Sequence, residues 1–183
     1  MARLNLIERE TATGPAKDML DGVQKALGVT PNLVKVMANA PSALRAYLDT
    51  NGALAGGLLG AQRRERISLR VAELNRCEYC VSAHSLLGSR AGLSQEEVIS
   101  SRDGASEDPK AGALLALVTA VVKKQGRISR AELDAARNAG LSDGEIVEVV
   151  ANVALNIMTN YLNNVAGTEI DFPRVELFAA ATN

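Results

Sequence analysis

The run Glu73-Leu-Asn-Arg-Cys77-Glu-Tyr-Cys80-Val-Ser-Ala-His84 holds both cysteines and the only histidine of the 183-residue chain. Two thiols so close in sequence enclose too short a loop to staple a fold, so the pair points to redox or metal chemistry, not to a structural cross-link. Cys80 and His84 share a helix face in adjacent turns, where an imidazole can reach a thiol. Cys77 lies on that face too. Asn75-Arg76 breaks the preceding apolar rhythm, which places Cys77 near the first turn of a new helix. Free backbone N–H groups and the positive end of the helix dipole favour a thiolate there. If His84 takes the proton of Cys80, the thiolate can attack the outer oxygen of a hydroperoxide, releasing alcohol and leaving a sulfenic acid with which Cys77 condenses. Cys80 attacks in this scheme because its reach to His84 is best; the opposite order, with Cys77 attacking, stays open. An external dithiol must then reduce the disulfide.

Other readings of the same residues compete. A Cys-x-x-Cys is half of a zinc site, but zinc normally takes four ligands and this chain offers only His84 beyond the pair, unless carboxylates or another subunit contribute. A lone helical histidine is often a packing residue; its place beside Cys80 argues for chemistry. Glu65 precedes Cys77 by roughly 18 Å of continuous helix, so it can assist only if the chain folds back, which a break at Asn75 allows. Glu73 reads as an ordinary exposed or ion-paired helix glutamate. Tyr79 and the cluster Asn160-Tyr161-Leu162-Asn163-Asn164 are candidates for a pocket wall, although core packing and capping explain them equally well.

The elements that must position these residues are helical. The sequence is rich in Ala and Leu, poor in aromatics, and lacks alternating β-branched runs, so the fold class is all-α. Ser-x-x-Glu capping boxes occur at Ser94 with Glu97, Ser129 with Glu132 and Ser142 with Glu145. Gly28, Gly92, Gly126, Gly140 and Gly167 fall where helices should end. Helices are predicted over 15–27, 32–39, 42–55, 64–74, 77–91, a short one from Gln95, then 109–124, 130–139 and 143–165. Asp108-Pro109 reads as an N-cap and first-turn pair. The polar stretch 100–108 is expected to be a surface loop. The helix from Pro109 is apolar on several sides and should be buried against other helices or a subunit. Ala-Gly-Leu-Ser occurs at 91–94 and again at 139–142, a faint sign of duplication that common helix punctuation also explains.

Length suits one domain spanning 1–183, with its Cys-x-x-Cys core at about 31–91. Twenty Lys and Arg balance 21 Asp and Glu with no basic block, which argues against a nucleic-acid partner. The opening residues lack the apolar run of a signal peptide and no stretch stays apolar long enough to span a bilayer, so a soluble, cytoplasmic protein without a membrane partner is expected.

The run from Arg64 to His84 resembles the AhpD-like branch of the carboxymuconolactone decarboxylase superfamily, through a complete Glu-x11-Cys-x2-Cys-x3-His pattern. Less specific similarity extends from Pro31-Asn32 to near Gly167, in the manner of the subgroup labelled peroxidase-related. The resemblance implies an all-helical subunit assembled as a homotrimer or homohexamer, with no bound metal or organic cofactor. It implies an alkylhydroperoxidase in antioxidant defence, acting on hydrogen peroxide or organic hydroperoxides. Cys80 would form the sulfenic acid, Cys77 would donate a proton and resolve, and Glu65 and His84 would relay protons. The reductant implied is an external dithiol, with lipoyl groups on a protein carrier as the family's donor. Where AhpD has a relay histidine this chain has Tyr79, a phenol of pKa near 10 and a poor shuttle at neutral pH, so a shorter relay or lower activity is expected. The alternatives are a general dithiol-disulfide oxidoreductase, a redox sensor, or a decarboxylase of the superfamily's name-giving type, whose members generally lack the cysteine pair.

Overall fold

The computed structural model describes residues 3–179, and every regular element among them is an α-helix. In chain order these are α1 (Gly14–Leu27), α2 (Asn32–Met37), α3 (Pro41–Ala55), α4 (Ala61–Leu74), α5 (Glu78–Arg90), α6 (Gln95–Asp103), α7 (Pro109–Lys124), α8 (Arg130–Asn138) and α9 (Asp143–Ala166). The all-α expectation holds, and so do the helix punctuation signals. All three Ser-x-x-Glu segments form two-way capping boxes, and Asp108 accepts from the Lys110 amide at the start of α7. The five glycines expected at helix ends all adopt positive φ, the conformation a C-terminal αL stop requires.

Helix α4 is the hub, packing against α5, α6, α7 and α9. Ile67, Leu69, Val71 and Ala72 are fully buried around it, so it has no solvent face along most of its length. Its buried polar residues are therefore answered by partners, as low-dielectric surroundings demand. Arg66 donates to Ser101 at 3.0 Å and pairs with Glu97, while Glu73 pairs with Arg102 at 2.9 Å and accepts the Phe178 amide at 2.8 Å. These contacts decide one expectation and correct another. Glu73 is ion-paired but buried, and the stretch 100–108 is not all loop: α6 continues to Asp103, because Ser101 and Arg102 face inward toward α4. Only residues 104–108 form the connection.

Two apolar clusters flank this hub. One joins α1, α2 and α3 to the cysteine helix, through Met19, Leu20, Val34, Leu44 and Val81, with Ile170, Phe172, Val175 and Leu177 of the C-terminal segment laid over it. The other joins α4 to α7, α8 and α9 through Val71, Leu114, Leu115, Val118, Val149 and Val153. Helix α9 separates them and carries a different chemistry on each side. At about 100° per residue, Val149, Val153 and Ile157 point to the second cluster, whereas Asn152, Asn156, Thr159 and Asn163 form a polar row toward the cysteines. Val147, Val150, Met158, Tyr161 and Val165 form a third, exposed apolar stripe. No helix among the described residues is long and apolar enough to cross a membrane.

Candidate active site

The chain reverses between α4 and α5 in three residues. Arg76, at φ 55°, takes the αL position; its amide bonds to Glu73 O at 3.1 Å and the Cys77 amide to Ala72 O at 3.0 Å. This pair of bonds is a Schellman stop. Glycine is the usual occupant of that αL site, and here the arginine is tied by Nη1 to Phe178 O at 2.6 Å. The stop ends α4 and starts α5 with no spare residue, so the two helices run antiparallel. The fold-back that Glu65 needs is thereby supplied: its Oε2 lies 2.8 Å from His84 Nδ1.

Cys77 is the N-cap of α5, one residue outside the helix it was expected to open, and its sulfur accepts the Cys80 amide at 3.3 Å. Cys80 is the third residue of the helix. Both sulfurs thus sit among the unpaired amides of a helix start, where negative charge is favoured. They are joined as a disulfide, with Cα atoms 5.3 Å apart. Cys77 is wholly buried and Cys80 almost so, at 3% exposed.

Cys80 and His84 open onto a cavity of about 230 Å³, the scale of a small-molecule site, and Cys77 is not among its lining residues. Its apolar wall includes Val23, Leu33, Leu48, Leu87, Leu155 and Phe172. Glu65 and His84 are each about four-fifths buried on its polar side, next to Arg64, whose Nη2 donates to Asn51 Oδ1 at 3.0 Å. Tyr47 also reaches the cavity; burial first, and then the Glu65 carboxylate, push its phenol pKa up, with Arg64 opposing. With Nδ1 of His84 engaged by the carboxylate, Nε2 is the nitrogen left for proton exchange, the arrangement by which a second partner fixes a histidine tautomer.

Tyr79 packs into the cavity wall. Its hydroxyl accepts the Leu33 amide at 3.2 Å, its ring meets Phe172 edge-on at 5.5 Å, and burial drives its pKa far above the ordinary phenol value. It is a packing residue that lines the cavity and holds its proton. The suspected cluster on α9 divides. Asn163 donates to Cys80 Sγ at 3.3 Å, but Asn160 is buried with Asn75, Tyr161 is exposed, and Asn164 caps Asn75 O. Asn152, Asn156 and Thr159 were not anticipated. Their signal was present as a polar residue every three or four positions through an otherwise apolar helix. Among the described residues, no group of three or more His, Cys, Asp and Glu side chains is placed to hold a metal ion.

The carboxymuconolactone decarboxylase family model matches residues 41–107, a segment that contains Glu65, Cys77, Cys80 and His84. Solved structures extend the likeness to nearly the whole chain. An AhpD-core, peroxidase-related protein from Ralstonia eutropha superposes with a TM-score of 0.84 at 23% identity, over 93% of this chain and 92% of that one. The debrominase Bmp8, solved in complex with 2,3,4-tribromopyrrole, superposes at 0.78 with 17% identity, over 92% and 91% of the two chains. A putative antioxidant defence protein, AhpD, from Agrobacterium tumefaciens gives 0.64 at 21% identity, over 76% and 96%. Among curated proteins no relative matches the sequence. The chain thus carries a segment that matches the carboxymuconolactone decarboxylase family, on a fold like that of the AhpD-core structures.

Proposed function

We propose that the protein is a thiol peroxidase in which Cys80 attacks hydrogen peroxide or an organic hydroperoxide. The observation that carries this reading is the convergence on one cavity of Cys80 and a His84 whose Nδ1 is held by Glu65 at 2.8 Å. Carboxylate, imidazole and thiol in that order are the parts of an activated nucleophile. In the reduced protein Nε2 of His84 takes the Cys80 proton. The thiolate forms an S–O bond as the peroxide O–O bond breaks; the alkoxide leaves as alcohol with the proton His84 carries, and Cys80 becomes a sulfenic acid. The Cys77 thiol then attacks that sulfur, water leaves, and the disulfide seen in the structure closes. The order Cys80 first and Cys77 second is supported by access, since Cys80 faces the cavity and Cys77 is wholly buried.

The cycle closes when an external dithiol is oxidised as the disulfide is reduced. Because Cys80 is reached through a cavity, a slender dithiol such as a lipoyl group suits the site better than a broad protein face. Buried Tyr79 takes no part, so the relay consists of Glu65 and His84 alone. We further propose that the exposed stripe of α9 from Val147 to Val165 is covered in a homotrimer or homohexamer; it extends roughly 27 Å along one helix face.

A peroxide-consumption assay with dihydrolipoamide, thioredoxin and glutathione systems side by side tests the reading. Cys80→Ser should fall to background, and Cys77→Ser should consume no more than about one equivalent of peroxide before stalling. Full turnover by both variants would sink the proposal. Rapid oxidation of the wild type without turnover by any donor would favour a redox sensor. Because the same fold serves a debrominase, a bromopyrrole belongs in the panel, and bromide release in place of peroxide consumption would reassign the thiol chemistry.

A further inference from the structure

Helix α4 carries four arginines, and three of them are answered. Arg63 pairs with Glu145 at 2.8 Å, Arg66 pairs with Glu97, and Arg70 donates to Arg102 O at 2.8 Å and to Thr119 Oγ1 at 2.9 Å. Arg64 differs. It is half-buried, and the partner of its guanidinium among the described residues is the neutral amide of Asn51, while its Nε is enclosed without a partner. A guanidinium withdrawn from water normally meets an anion, because its desolvation is otherwise uncompensated. The adjacent carboxylate, Glu65, is engaged by His84 at 2.8 Å.

Arg64 lines the cavity of Cys80, and so does Arg90, which makes no ion pair among the described residues. Along α5 the cavity is lined in order by Cys80, Ala83, His84, Leu87 and Arg90, one helix face at three- and four-residue spacing. Cys80 is 3% exposed, whereas Leu87 and Arg90 are open to solvent. The cysteine therefore marks the floor and Arg90 the mouth, about 15 Å apart along the helix at 1.5 Å per residue. Leu27 and Val29, also exposed, complete an apolar rim. Helix α4 runs antiparallel to α5 with Glu65 opposite His84, so Arg64 lies one residue further from the floor, toward the mouth.

We infer that the cavity takes organic hydroperoxides whose apolar chain ends in a carboxylate, with the hydroperoxide at Cys80 and the carboxylate held at the mouth by Arg64 and Arg90. The charged groups that line the cavity are Arg64, Arg90, Glu65 and His84. With His84 neutral and the cysteines joined they sum to one positive charge, on a chain whose net charge is -1. A guanidinium presents a planar fork of N–H donors that matches both oxygens of a carboxylate, and such charge-assisted bonds are roughly twice as strong as neutral ones. Between floor and mouth the walls are largely aliphatic, with Val23, Leu33, Leu48 and Leu155, which suits the chain of such a ligand. The inference deepens the peroxidase reading, and rests on it only in taking this cavity as the substrate's.

Binding to the disulfide form separates the two ideas, since that form cannot turn over. Calorimetric titration of the oxidised protein at neutral pH with octanoate and octanamide compares an anion with a neutral molecule of the same chain length. Octanoate should bind at least about tenfold more tightly, in keeping with hydrogen bonds to a charged group. In Arg64→Gln the preference should shrink to less than about threefold, chiefly through weaker octanoate binding. Arg90→Gln, at the more exposed position, should lose about two- to fivefold in octanoate affinity. Equal affinities in the wild type, absence of binding by both at millimolar concentration, a preference untouched in a folded Arg64→Gln protein, or an octanoate affinity unchanged in Arg90→Gln would each overturn the inference. If Arg64→Gln does not fold, the wild-type pair and Arg90→Gln still decide. Turnover of cumene hydroperoxide, which has no carboxylate, by the same preparation reports on the peroxidase reading independently.

Discussion

Four helices of this molecule start with the same spacing and different atoms. At α6, α8 and α9 a serine caps the helix and a glutamate three residues later closes the box from the other side. At α5 the same two positions are Cys77 and Cys80. The cap bond survives, sulfur accepting the Cys80 amide at 3.3 Å where the serine hydroxyls accept at 3.1–3.3 Å. What is missing is the carboxylate at the third position. In the serine boxes a glutamate charge occupies the third position of the helix; in α5 the first-turn carboxylate, Glu78, pairs with Arg174, and at the two box positions themselves charge appears only when a thiol ionises. The Cys-x-x-Cys is in this sense a capping box whose two arms can carry charge only in the reduced state, and can bond to each other.

The largest break in this comparison comes from the proton acceptor, because a helix start lowers a thiol pKa without removing the proton. Glu65→Gln should cut kcat/KM for hydroperoxide by roughly 10²- to 10⁴-fold, the usual range for a lost acid–base contribution. The melting temperature should move by no more than a few degrees, since Glu65 and His84 are partly exposed and make one pair. A pH–rate profile that keeps its wild-type shape in this variant would show that α5 alone ionises Cys80. Next in size is Asn163→Leu. Loss of the Nδ2 contact to Cys80 Sγ should raise the pKa of the reduced Cys80 thiol by about one unit, as expected for a hydrogen bond to the charged form. Thiolate absorbance near 240 nm against pH measures it, and an unchanged midpoint would remove Asn163 from the machinery.

The serine boxes predict an acid response that α5 should lack. Lys124, and then the amide and hydroxyl of Ser129, hold the Glu132 carboxylate down to about 2, against an ordinary value of 4.5. A lowered folded-state pKa contributes stability that is present above the unfolded value and disappears as pH falls toward the folded one. The difference in melting temperature between wild type and Glu132→Gln should therefore be constant above about pH 5 and vanish between pH 4.5 and 2. Wild type and Cys77→Ser, compared under reducing conditions, should show no such convergence in that window. A parallel loss in both pairs would mean that the two kinds of helix start respond to acid alike.

Much of this architecture was legible because it is local. Serine, glutamate, glycine and proline at helix ends act within a turn of where they stand, so Ser94, Ser129, Ser142, Asp108 and Gly167 could be read directly. The cysteine segment was legible for the same reason. What escaped is long-range. Nothing within a turn of Glu73 announces Arg102, 29 residues away, or the Phe178 amide, 105 away, so its burial was invisible. The polar row of α9 lay between the two cases. Its period was written in the sequence, but its meaning depended on α9 passing beside Cys80, a contact across 83 residues.

Arg76 supplies the finest test, because it is the joint that sets α5 against α4. At φ 55° a Cβ-bearing residue is held in the left-handed region, which disfavours any side chain relative to glycine by about 1 kcal/mol. Its guanidinium offsets part of this through the bond to Phe178 O. Comparing Arg76→Gly with wild type mixes the two effects, but comparing it with Arg76→Ala does not, since both variants lose the guanidinium. The glycine variant should be the more stable of the two by about 0.5–1 kcal/mol, or some one to four degrees in melting temperature for a chain of this size. Equal stabilities would show that the Schellman stop is not strained. Peroxide turnover should remain near wild type in the glycine variant, because the stop that orients Cys77 is made by backbone bonds from residues 76 and 77 and needs no side chain.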